Sequence, residues 1–269
     1  MMRKIVVLVG LLWLMPVFAA AQEQAADPAK DLVEAAAKGD AAAVAAMLDK
    51  GVPIESIASV VSEGRSCKLC TPLVAAAGGG KIDVMNLLIA RGALVDGKDG
   101  EGATPLMNAA AGARAEAVRL LLDKGASVNE RMAASVQATA MHFAAGYGTP
   151  EIISMLLDKG ADINAGDKNN TPPVLTAIMG GKAENVRLLA DRGAAFEAGG
   201  KMSTMAIVMA MSEGYYDSVQ EILGRLAARA GSSADQRLAL LRAVFEGDAK
   251  AVVAILASET GKQQVRPVM

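Results

Sequence analysis

Two cysteines, one histidine and three glycine runs are the residues of this 269-residue chain whose types and spacing could do chemistry. Cys67 and Cys70 stand in SCKLCTPL, just ahead of a helix start at Thr71-Pro72, where thiolate pKa values fall and redox motifs sit. The same even pair, in an exported chain, reads first as a disulfide. Free or metal-binding thiols are the third reading. No thioredoxin-like sheet pattern flanks the motif, and Thr71 occupies the place where c-type haem attachment requires histidine. His142 has no second histidine for a metal site, and no serine elbow or carboxylate pair at a fixed offset accompanies it. The glycine runs at 78–80, 180–181 and 199–200 do not fit the phosphate-binding pattern G-x-x-x-x-G-K-[ST]. They read as helix breaks and turns, and no cofactor, metal or catalytic group is expected.

The compartment decides how the thiols behave, and the N-terminus speaks to it. Arg3 and Lys4 precede an apolar stretch at 5–19 and the small residues Ala19-Ala20-Ala21, the pattern of a secretory signal cleaved before Gln22. The apolar run is shorter than the ~18 residues expected of a membrane span. No cysteine follows it, which argues against a lipoprotein. The short basic start and A-x-A end resemble a bacterial signal, so the periplasm is the expected address. Removing Arg3 and Lys4 leaves 25 basic against 29 acidic side chains, a net charge of −4 with no basic stripe. Nucleic acid is therefore an unsuitable partner. With aromatic residues at 3%, the core has to be built from Ala, Leu, Val, Ile and Met.

The elements that position these residues are copies of one unit, clearest at 104–128, TPLMNAAAGARAEAVRLLLDKGASV. Thr104 is an N-cap and Pro105 a first helical residue, so a short helix begins there. Gly112 breaks it, a second run carries Ala117, Val118, Leu120, Leu121 and Leu122, and Gly125 ends that run as a left-handed cap. The terminal glycine recurs as Gly51, Gly92, Gly125, Gly160 and Gly193, with steps of 41, 33, 35 and 33 residues. The entrance recurs as TPL at 71–73, TPL at 104–106, TAM at 139–141 and a shifted TPP at 171–173. Degenerate copies follow at 205–223 and 238–256. A single pair of short helices cannot bury its apolar face alone, so neighbours must stack into a solenoid.

TPLxxAA, then glycine, then xVxxLLLxxGAxxN resembles the ankyrin repeat, and TPLMNAAAGARAEAVRLLLDKGASVN and TAMHFAAGYGTPEIISMLLDKGADIN are the closest copies. The resemblance implies an all-α solenoid of about seven helix-turn-helix repeats with projecting finger loops. The expected organisation is a signal peptide at 1–21, a linker at 22–29, the repeat domain at 30–257 and a tail at 258–269. The first repeat, ending at Gly51, lacks the threonine-proline entrance. Eight extra residues before Thr71 lengthen the finger that carries Cys67 and Cys70. His142 stands where the family has a structural histidine bracing neighbouring loops.

In that family the binding face combines the fingers with the residues before each mid-repeat glycine. Those pairs include Ala37-Lys38, Gly78-Gly79, Ala111-Gly112, Gly146-Tyr147 and Met179-Gly180, mostly small, as a groove floor or as a by-product of alanine-rich composition. The candidate partner-binding residues are Lys98, Arg131, Met132, Tyr147, Lys168, Met179, Lys201 and Met202. The expected function is non-catalytic: a monomer, free of the membrane after signal cleavage, that binds another periplasmic protein and neutralises or stabilises it. An immunity-type inhibitor and an accessory protein of an oxidant-defence enzyme are the two forms considered. The alternative is a thiol-disulfide redox protein or redox chaperone acting through Cys67 and Cys70.

Overall fold

The computed structural model describes residues 27–62, 65–132 and 136–195, together with 215, 217 and 218. Five helix pairs and one two-stranded hairpin make up these residues. The pairs are α1 (Pro28–Lys38) with α2 (Ala41–Asp49), α3 (Pro72–Gly79) with α4 (Ile82–Ala90), and α5 (Pro105–Ala111) with α6 (Ala115–Asp123). Then come α7 (Ala140–Tyr147) with α8 (Pro150–Asp158), and α9 (Pro173–Met179) with α10 (Ala183–Asp191). The two further copies expected at 205–223 and 238–256 lie outside the described residues, apart from the three residues at 215, 217 and 218. So do the signal segment and the C-terminal tail.

First helices pack on first helices, α1 to α9 in order, and second helices on second helices, giving two layers. The core repeats with the sequence. Leu32, Leu73, Leu106, Met141 and Val174, the third residue of each entrance or its equivalent, are all buried. From the second helices of repeats two to five come Met85, Val118, Ile153 and Val186, seven residues before the terminal glycine, and Leu88, Leu121, Leu156 and Leu189, four before it; α2 supplies buried Val44 and partly buried Met47 at these places. Spacing of three and four puts these on one helical face, so every repeat presents the same ridge to the next.

The caps explain why the helices stay short. Thr71 and Thr104 accept the backbone N–H three residues on, each at 3.3 Å, and a proline follows each one. All five terminal glycines are left-handed, Gly125 at φ +85, with Ala126 N–H donating to Leu121 O at 2.9 Å in a Schellman closure. A Cβ at any of these five would meet nothing within 4 Å, so backbone conformation alone demands glycine there.

Two boundaries differ from the sequence expectation. The first helix begins at Pro28, not after a linker ending at 29, because Asp27 caps it by accepting from Ala29 N–H and Lys30 N–H. Asp27-Pro28 does the work of the missing Thr-Pro entrance, about one turn early. In the fifth repeat the shift resolves with Pro172 at the N-cap and Thr171 just outside, so α9 lacks a side-chain cap.

The inserted segment is not a helical feature at all. β1 (Ala58–Ser62) and β2 (Arg65–Cys70) form an antiparallel hairpin, with Ala58 opposite Cys70 and Val60 opposite Cys67. Three steps on β2 match two on β1, so the C-x-x-C is a bulge, and Leu69 within it takes φ +52. Apart from this hairpin, the described fold is the all-helical solenoid that the repeats predict.

Candidate functional site

The hairpin lies against the first-helix layer. Ala58, Val60 and Cys70 are buried with Val33 and Ala37 of α1 and with Val74 and Ala75 of α3, forming a small apolar cluster separate from the main core. Strand alternation turns Ile57 and Val61 outward, and both are exposed. The finger is thus a cover folded over the first two repeats, packed on the α1 and α3 side chains that face away from the main core. Its base, beside Cys70, is anchored to the next finger. Gly100 N–H donates to Leu69 O at 2.8 Å, and Leu69 N–H donates to Ser59 Oγ at 3.0 Å. Cys67 and Cys70 are bonded to each other across the bulge, with Cα atoms 5.9 Å apart. Cys70 is fully buried and Cys67 partly so, which leaves only Cys67 within reach of an attacking thiolate.

Beyond the hairpin the first-helix face is open. Asn108 on α5, Phe143 on α7 and Thr176 on α9 occupy equivalent positions and are half-buried, whereas the equivalent Ala75 is covered. One turn on, Tyr147 is 60% exposed, and Met179 of the next repeat is 43% exposed. Phe143 was not among the sequence candidates, although its place four residues before Tyr147 puts it on the same helical face.

The small residues of this face have a packing role that composition did not reveal. A Cβ on Gly146 would lie 2.9 Å from Thr176 Cγ2, and one on Gly180 would collide with Gly146 O. These glycines let α7 and α9 approach each other. They are not a vacant floor for a partner's backbone. Gly78, whose nearest neighbour to an added Cβ is 3.8 Å away, has ordinary room.

The fingers are joined by a ladder with the period of the repeat. Glu55, Asp96, Asn129 and Asn164, each four residues after a terminal glycine, accept from the backbone N–H of Leu94, Ser127, Asp162 and Ala195, each two residues after the next such glycine. The exit asparagine of the repeat pattern is one solution among several. Any side chain with a carboxyl or amide oxygen of that reach serves.

This ladder and its neighbours claim several of the predicted binding residues. Lys98 Nζ pairs with Glu130 Oε2 at 2.8 Å and lies 3.5 Å from Arg131 O. Arg131 Nη1 donates to Gly166 O at 2.6 Å and to Gln137 O at 3.3 Å, so this arginine braces two fingers. Met132 is half-buried and packs against the main core. Lys168 uses its backbone N–H on Val136 O at 3.0 Å, while its side chain is exposed. Lys201 and Met202 lie outside the described residues. Of the eight, Tyr147, Lys168 and Met179 are the ones the described structure leaves most open.

His142 is buried, with both ring nitrogens engaged. Nδ1 accepts from Thr139 N–H at 3.1 Å with Thr139 Oγ1 at 3.0 Å, and Nε2 lies 2.9 Å from Thr171 O. A backbone N–H can only donate and a carbonyl can only accept, so the ring is neutral with its proton on Nε2. Burial lowers its pKa from the ordinary value, the Thr171 carbonyl and Asp167 opposing and Arg131 assisting. The nitrogens are occupied by structure, and neither is free to act on a substrate.

Among the described residues there is no group of three His, Cys, Asp or Glu side chains that could hold a metal ion. No described helix is long and apolar enough to cross a membrane.

Fold and face together define a helix-pair repeat scaffold whose open surface is built from fingers and first helices. The chain belongs to the ankyrin repeat family: the sequence pattern of three ankyrin repeats matches residues 32–132 and again 133–200. Among solved structures, it is similar to the crystal structure of the human ASB11 ankyrin repeat domain, with a TM-score of 0.57 and 26% identity over 71% of this chain and 80% of that one. No curated protein matches the sequence. The family is one of typically non-catalytic scaffolds for protein–protein interaction, and its members recognise protein partners.

Proposed function

We propose that this chain is a non-catalytic binding protein of the bacterial periplasm, and that it docks one protein partner on the open face of repeats three to five, neutralising or stabilising it. The observation that carries this reading is the asymmetry of the face. Repeats one and two are covered by the chain's own hairpin, while Tyr147 and Met179 stand exposed beside Phe143. Aromatic and methionine side chains are enriched at protein interfaces, and a rigid solenoid presents them without an ordering cost. Export rests on the basic start, the apolar run and Ala19-Ala20-Ala21. The inhibitor and escort forms of the reading share this docking face and differ only in what the captured protein does afterwards.

The test is comparative capture from periplasmic extract. Wild-type protein should retain one dominant species. Tyr147→Ala with Met179→Ala should weaken its capture by about tenfold or more, since truncating an interface anchor costs roughly 1 to 4 kcal/mol. Arg119→Ala, on the second-helix layer where Arg119 pairs with the exposed Glu151, should leave capture unchanged. Retention by the double variant with loss in Arg119→Ala would place the partner on the opposite side. Mass spectrometry of the native protein should find a chain beginning at Gln22, and an intact Met1 terminus on cytoplasmic protein would remove the periplasmic assignment.

A further inference from the structure

We propose that the free edge of the hairpin cover is an interface for a second copy of this chain, two β1 strands pairing antiparallel across a two-fold axis. The sequence suggests a monomer, and the open edge is visible only in the folded hairpin. Among the described residues β1 has β2 as its single strand neighbour. Ser62 and Arg65 are the last couple before the connection, so theirs is a hydrogen-bonded pair, and alternation from it directs Val60 to β2 as well. Ser59 and Val61 therefore turn their N–H and C=O groups away from β2, and no described backbone group meets them there.

Charges, proline or a bulge commonly keep an edge strand from pairing. Residues 57–62, IASVVS, hold no charge and no proline, and the bulge lies on β2. The side chains of this edge are sorted as those of a paired strand would be. Ala58 and Val60 are buried against α1 and α3, while Ile57 is 50% and Val61 72% exposed, with exposed Ser59 between them.

What fits this edge is the edge itself. A two-fold axis at Ser59 sets it opposite Ser59 of the second copy, and sets Ile57 opposite Val61 and Val61 opposite Ile57. All three positions direct their backbone groups outward, so each couple is hydrogen-bonded, and apolar side chains meet apolar ones on the exposed face. Self-pairing repeats any charge near the axis in both copies, and this edge has none to repel. The arrangement also stops at two. The other edge of the hairpin is met by the next finger, through Gly100 N–H on Leu69 O at 2.8 Å, which blocks a third copy. β1 lies on α1, the first described helix of the stack, and its free edge points away from that finger. Tyr147 and Met179, three and four repeats further on, stay free in both copies. The proposed docking of a partner neither requires this dimer nor is required by it.

A five-residue edge buries less than the roughly 1,200 Å² of a stable complex, so the dimer is reversible. Sedimentation velocity of the purified chain between about 1 µM and 1 mM should show monomer passing to dimer, with no larger species. Val61→Lys, at an exposed site, should raise the dissociation constant by about tenfold or more at unchanged circular dichroism, whereas Val61→Ile should keep the dimer. Tyr147→Ala with Met179→Ala should not alter it. A second measurement reads the register. The native cysteines are bonded to each other, so added thiols report alone. Ile57→Cys and Val61→Cys chains, mixed in equal amounts with a short bifunctional thiol crosslinker, should link one of each, and neither variant should link to itself. A monomer throughout the range, a dimer undiminished by Val61→Lys, or one lost with Tyr147 and Met179 overturns the proposal, as does crosslinking within a single variant. A chain that stays monomeric while Val61→Lys weakens capture of the periplasmic partner would give the edge to that protein and not to a second copy. Should Val61→Lys fail to fold, the crosslinking pattern decides.

Discussion

Gly100→Ala tests whether the hairpin cover is locked to the next finger. A Cβ at Gly100 would collide with Leu69 Cβ and lie 2.6 Å from Leu69 Cδ1. The Cδ1 could rotate away, but Cβ moves only with the backbone, and Leu69 is held there by Gly100 N–H on its carbonyl and by Ser59 Oγ on its N–H. The substitution must push the bulge off the finger, at about 1 to 3 kcal/mol for an overpacked contact. Leu69→Gly offers the complementary change. It relieves a leucine at φ +52, worth roughly 1 to 2 kcal/mol, against the loss of a half-exposed side chain of similar value, so alone it should be nearly neutral. With the leucine Cβ gone, Gly100→Ala should become almost free. Denaturant unfolding of the two single variants and the double variant gives a coupling energy expected to exceed about 1 kcal/mol. Strict additivity would mean that the hairpin does not rest on the finger.

Two further outcomes follow from other parts of the molecule. Asn185→Val should destabilise by about 1 to 3 kcal/mol in the same assay, although Val84, Ala117 and Ile152 fill the equivalent sites, because Asn185 Nδ2 satisfies Ala144 O, Ala145 O and Gly148 O. Gly148 is extended, not left-handed, so the α7 end has lost the closing backbone bond that other repeats make. Cys67→Ser with Cys70→Ser should keep the helical circular dichroism, since the main core is separate from the hairpin cluster. Protease should then cut within 58–70 faster, with a stability loss of roughly 2 kcal/mol from the short loop and more from a hydroxyl at buried Cys70.

The family, most helix boundaries and the core were legible because they are local and periodic. Thr104-Pro105, Gly125 and the apolar ridge at Val118 and Leu121 act within their own turn, and repetition supplied independent copies against which each could be checked. The lengthened finger was legible as an insertion with two thiols, because spacing records length. Its strands and its place on α1 and α3 were not, since no residue between 52 and 70 encodes which surface lies opposite Val60. Binding candidates suffered in the same way. Lys98 and Arg131 look like free cations in the sequence, yet their partners, Glu130 and Gly166 O, come from the next finger, 32 and 35 residues on. His142 shows both limits: its position in the repeat announced a brace, but burial, which keeps the ring neutral, and Thr171 O, which holds the proton on Nε2, are supplied only by stacking. A periodic chain determines its repeating unit from neighbours in sequence. What lies across the seam between units is decided by the fold, because those contacts join residues that no local rule relates.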